Sequence, residues 1–110
     1  MKHIELVKEF GGAATAISGP DKTVTGLYDG PFRKIVEVRL REHAVLAKHK
    51  ANVPITVFCY SGTGTFLAGP QLEDEQTLIP GTLITLEADV EHEVIADPEL
   101  HLIVTKFMPR

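Results

Sequence analysis

His49 and His92 are the residues of this chain best placed to do chemistry. Each stands beside or within a run of strand-forming residues, and glycine-containing turns bound those runs. Neutral imidazole suits Fe, Ni, Zn, Cu or Mn as a ligand, and imidazole also gains or loses a proton near neutral pH. A site that holds its ion wants three or more ligands, and the facial arrangement of non-haem iron adds a carboxylate to two histidines. Glu37, Glu87, Asp89, Glu91 and Glu93 are near in sequence, but strand parity turns Glu91 and Glu93 away from His92. Donor count therefore favours a polar mouth in which the two imidazoles hydrogen-bond each other, a water or a small ligand, with no metal tightly bound. Ile55, Val57 and Leu86 are then the apolar ligand-binding neighbours, since pockets combine apolar walls with a few polar groups. The competing readings are a dioxygenase- or isomerase-type enzyme with a divalent ion (Fe, Ni, Zn or Mn) on His49 and His92, and a purely structural dimer module. No residue is assigned as catalytic.

The remaining reactive side chains carry less. His43 occupies a turn and should be exposed, and His3 lies in an N-terminal arm. His101 opens the last strand, where a one-residue slip decides between the interior and the outside. Cys59 lies four residues beyond Ile55 on the same face, roughly 13 Å along a strand. No cation flanks it to lower its pKa, so it reads as a buried structural thiol. The run Glu73-Asp74-Glu75 reads as a solvated loop.

Strands must position these groups. Turn signals recur at Gly19-Pro20-Asp21, Asp29-Gly30-Pro31, Ser61-Gly62-Thr63-Gly64, Gly69-Pro70, Pro80-Gly81 and Asp97-Pro98. Between them, runs rich in Val, Ile, Thr, Tyr and Phe predict strands over 14–18, 22–28, 33–41, 45–48, 55–60, 63–68, 77–79, 83–86, 92–96 and 101–107. Many short strands at such spacing make an all-β sandwich or barrel. Val36, Val38 and Leu40 alternate with Glu37 and Arg39, the mark of one wet face. Residues 55–60 are bulky on both faces: Ile55, Val57 and Cys59 on one, Thr56, Phe58 and Tyr60 on the other. The second face needs a cover, either residues 1–12 or a second copy of the chain, and a homodimer through Phe58 and Tyr60 is the expectation.

A chain of 110 residues is one domain, long enough for a hydrophobic core without staples. Its net charge of −4 and its lack of a basic cluster argue against a nucleic-acid or anionic-membrane partner. A single cysteine allows no internal disulfide, and no apolar run reaches signal-peptide or membrane-spanning length. A cytoplasmic location is expected.

Residues 43–62 and 81–96 together resemble the two motifs of the cupin superfamily, small jelly-roll barrels of the RmlC-like type. The first motif runs Gly, five residues, His-x-His, three or four residues, Glu, six residues, Gly. Here it reads His43, AVLAK, His49-Lys50-Ala51, Asn52-Val53-Pro54, Ile55, TVFCYS, Gly62. The second runs Gly, five residues, Pro-x-Gly, two residues, His, three residues, Asn, and here reads Gly81, TLITL, Glu87-Ala88-Asp89, Val90-Glu91, His92, EVI, Ala96. The resemblance implies a single all-β jelly-roll barrel over 1–110 with a short arm at 1–12. In metal-binding cupins two His and the Glu of the first motif and the His of the second hold the ion. Of these, His49 and His92 are present, while Ala51 and Ile55 stand at the other two positions. The pattern His49-x-Ala51-x-x-Pro54 with His92-x-Val94-x-Ala96 is similar to a group of small bacterial cupins, which implies a fold and no single reaction.

Overall fold

The computed structural model describes residues 3–7 and 21–109, and the described residues form seven strands and no helix. These are β1 (Lys22–Asp29), β2 (Lys34–Leu40), β3 (Val45–His49), β4 (Ile55–Ala68), β5 (Asp74–Leu78), β6 (Leu83–Leu86) and β7 (His92–Lys106). The strand expected over 14–18, and most of the arm, lie outside the described residues.

All pairings are antiparallel, and two long strands organise them. The first half of β4 pairs with the second half of β7, with β6 on its other edge, and β7 continues to β2 and β1. The second half of β4 pairs with the first half of β7, flanked by β5 and β3. β4 and β7 thus run through both walls of a barrel and fold over together where the register shifts between Cys59 and Gly64. The sequence reading splits each of them into two strands, because Ser61-Gly62-Thr63-Gly64 and Asp97-Pro98 look like turns. The structure absorbs both as irregularities within continuous strands, a β-bulge use of glycine. The run Glu73-Asp74-Glu75 is also corrected: Asp74 and Glu75 begin β5, opposite Ala68 and Leu67, and only their side chains are solvated.

Alternation places the core. Val36, Val38 and Leu40 of β2, Ile55, Val57, Cys59, Phe66 and Ala68 of β4, and Val94, Ala96, Leu100 and Leu102 of β7 are buried between the walls. Because both long strands double back at the same place, their free ends meet at the other end of the barrel. There Ile55 and Lys106 of one wall stand across from Ala68 and His92 of the other. That open end is the candidate site.

Candidate functional site

His92 opens β7 on its inward face and is only 4% exposed. His49 reaches it through a bulge in β3. Leu46 pairs with Val94, yet His49 rather than Lys48 pairs with His92, so one extra residue re-aims the strand. Without that bulge Lys48 would face inward. Instead its ammonium pairs with Glu91 at 3.6 Å and its backbone N–H donates to Glu93 Oε1 at 3.1 Å, both on the outer side. The two imidazoles lie 4.2 Å apart between centroids, tilted by 59°, and Phe66 stacks on His92 at 5.6 Å and 9°.

Backbone carbonyls set the tautomers. His49 Nδ1 lies 2.8 Å from the Ala47 carbonyl and His92 Nδ1 lies 3.0 Å from the Val90 carbonyl. A carbonyl only accepts, so each Nδ1 carries a proton and donates it, which in the neutral imidazole puts the lone pair on Nε2. Burial pushes the His92 pKa down, the bond to Val90 opposes this, and a charge on His49 would push it down further. His92 is thereby held neutral.

This has a consequence for stability. In the unfolded chain His92 titrates near 6.5, higher than when folded, so below neutrality the unfolded state binds more protons. The contribution of His92 is complete above about pH 6.5 and is lost as pH falls through the folded pKa. Urea midpoints should therefore fall between pH 7.5 and pH 5, and His92→Gln should flatten that dependence.

The imidazoles stand at the edge of a cavity of about 560 Å³. Val36, Val38, Val57, Phe66, Leu102 and Val104 wall it, and Ile55, Leu46 and Val94 complete its sides. Polar groups gather at the rim: His49, Lys50, Asn52 and Asp89 on one side, Lys34 and Lys106 on the other. Asp89, in the left-handed region at φ 66°, donates its N–H to the Ala51 carbonyl at 2.7 Å and ties the loop after β3 to the loop after β6.

His49, His92, Ile55 and Val57 are thus brought together, as the alternation requires. Leu86 is not with them. It lies opposite Ile55 on β6 and lines a smaller depression of about 230 Å³ on the far side of Phe66. The sequence reading missed Phe66, Lys34 and Lys106. Lys34 continues the inward series of Val36 and Val38, and Lys106 that of Leu102 and Val104, so parity alone could have found them.

The other histidines lie elsewhere. His101 points away from the cavity, its Nε2 hydrogen-bonded to the Glu37 carboxylate and its ring meeting Tyr60 edge-on at 5.2 Å. The wet face expected at Glu37 is not found: Glu37 is 1% exposed and the His101 side chain 12%, so this side of β2 is covered. His43 is exposed at φ 58° and 3.6 Å from Asp97, a solvated pair that contributes little. Cys59 is buried with its thiol directed to the Ser61 and Gly62 carbonyls, and burial pushes its pKa up.

Solved structures share this architecture. A cupin superfamily protein from Desulfitobacterium hafniense superposes with TM-score 0.76 at 9% identity, over 94% of this chain and 99% of that one. An RmlC-like cupin family protein with a double-stranded β-helix fold, from Methanocaldococcus jannaschii, gives 0.73 at 20% identity, over 96% and 92%. The chain has the cupin fold. KdgF from a Halomonas species has it too, at TM-score 0.71 and 19% identity over 84% of this chain and 83% of its own. No family model and no curated protein matches the sequence.

A resident ion does not fit this cupin barrel. Among the described residues no three His, Cys, Asp or Glu side chains group so as to hold a metal. At the positions of the missing ligands, Ala51 is partly buried against the core and Ile55 is part of it. Two imidazoles alone hold a divalent ion weakly.

Proposed function

We propose that the barrel is a binding module for a small, largely apolar molecule, with His49 and His92 as its hydrogen-bonding groups at the mouth. The observation that supports this most is the combination of an apolar cavity of about 560 Å³ with two imidazoles whose Nδ1 protons go to backbone carbonyls. That volume lies within the usual range of ligand pockets. The remaining lone pairs can accept from a hydroxyl or amide N–H of the ligand. Titration with 4-phenylbutanamide in the presence of EDTA, followed by methyl NMR, tests the reading. Shifts should concentrate on Val36, Val57 and Val104 and vanish in Val104→Phe, which fills the cavity, or in Val24→Trp, which obstructs its open side. Shifts confined to the outer surface would overturn it.

The second face of β4 supports a homodimer. Phe58, Tyr60 and Leu83 are 37%, 52% and 62% exposed, and Phe58 and Leu83 are cross-strand partners. Such a patch suits an isologous contact between two copies. Light scattering at micromolar concentration should give a dimer mass, and Phe58→Glu with Leu83→Glu should give a monomer. A wild-type monomer would contradict the proposal. Cys59, free and buried, is compatible with a reducing, cytoplasmic location.

A further inference from the structure

Lys34 and Lys106 are direct cross-strand partners of β2 and β7, on the inward face at the open end. Like charges placed directly opposite on one sheet face destabilise it. Neither lysine lies within ion-pair distance of a carboxylate among the described residues, although Lys48 and Arg39 elsewhere have such partners. The other charged groups lining the cavity are Lys50 and Asp89, one of each sign. The described lining therefore carries three cations against one anion, an excess of two positive charges over apolar walls. No fold requirement asks for this: an alternating strand could end in Thr or Gln there.

We infer that the cavity's ligand is a small apolar carboxylate, its anionic group held by Lys34 and Lys106 while its body lies on Val36, Val57, Phe66 and Val104. This deepens the binding reading above and rests on it. The topology gives the ligand two differently equipped sides. The lysines stand on the β2–β7 side of the mouth, and the imidazoles stand across it on the β3–β7 side. The facing walls of a β-barrel or sandwich lie about 10 Å apart. A ligand with its carboxylate on one side reaches the histidines with a hydroxyl or N–H at the other end. Ammonium groups aimed at one carboxylate form charge-assisted hydrogen bonds, which are short and stronger than neutral ones.

The test uses three probes with one body and three charges: 4-phenylbutyrate, 4-phenylbutanamide and 4-phenylbutylamine, each titrated into the full-length protein at low and high salt. The butyrate should bind on the order of tenfold or more tighter than the amide, and the ammonium weakest. The butyrate preference should shrink at high salt, since these charges lie at the rim. In Lys34→Gln with Lys106→Gln, the butyrate should lose its advantage over the amide. Equal affinity of the three in the wild type, or a carboxylate preference that survives the double substitution, overturns the inference while leaving the binding reading intact. Binding of none overturns both. A second readout is independent of ligand choice. Relieving the like-charge pair with Lys106→Gln should raise the melting temperature of the ligand-free protein by a few degrees, whereas a fall would mean that the lysines stabilise the fold.

Discussion

Gly62→Val should destabilise the protein by about 3–5 kcal/mol. Gly62 sits where β4 folds over, at φ 86°, a conformation that a β-branched residue adopts only under strain. A Cβ there would lie 2.1 Å from the Glu99 carbonyl oxygen. That atom is backbone of the partner strand, itself turning the same corner, and it cannot swing aside as the end of a flexible side chain would. Gly81 supplies the control: its φ is 93°, yet nothing lies within 4 Å of its Cβ position. Gly81→Ala should therefore cost only about 1 kcal/mol, from conformation alone. Urea unfolding of both variants separates strain from collision, and equal losses would contradict this account of the fold-over.

Phe66→Ala should cost about 3–5 kcal/mol and weaken ligand binding as well. Phe66 is 2% exposed, stacks on His92 and lines both the cavity and the depression beside β6. Removing its ring opens one space into the other and lets water reach the buried imidazole. The suppressed His92 pKa should then move back up, since its largest cause is burial. Phe66→Leu, which keeps the partition but not the stack, should lose less stability. NMR titration of the His92 ring alongside urea melts reads both effects. A variant that loses stability with the His92 pKa unmoved would mean that other atoms keep the ring dry.

The barrel was legible in the sequence because its signals are local. Val36-Glu37-Val38-Arg39-Leu40 alternates, Gly-Pro and Asp-Gly turns punctuate the runs, and the spacing of His49, Gly62, Gly81 and His92 follows the cupin motifs. His49 ends β3, Gly62 lies within β4 and His92 opens β7, but the alternation of β2 does not leave a wet face, since Glu37 is buried. The continuity of the long strands was not legible. A glycine-rich bulge and a turn use the same residues, and only the partner strand, folding over at the same level, distinguishes them. The bulge that turns His49 inward is equally silent in sequence, since AVLAKH offers no break in its run. Lys34 and Lys106 were hidden for another reason. Lysine at a strand end ordinarily marks a solvated edge, and only the register brings residues 72 positions apart to face each other. The setting of His101 away from the cavity likewise depended on a register that the Asp97–Leu100 segment leaves open until β7 is seen to pass through it.

His49 and His92 serve the cavity as imidazoles in this reading, not as ligands of a resident ion. Elemental analysis tests it most directly, on protein purified without a His-tag or chelator and on the His49→Ala, His92→Ala double variant. Both should hold far less than stoichiometric Fe, Ni, Zn or Mn and take up no added divalent ions. Near-stoichiometric metal in the parent protein that is absent from the double variant would contradict it.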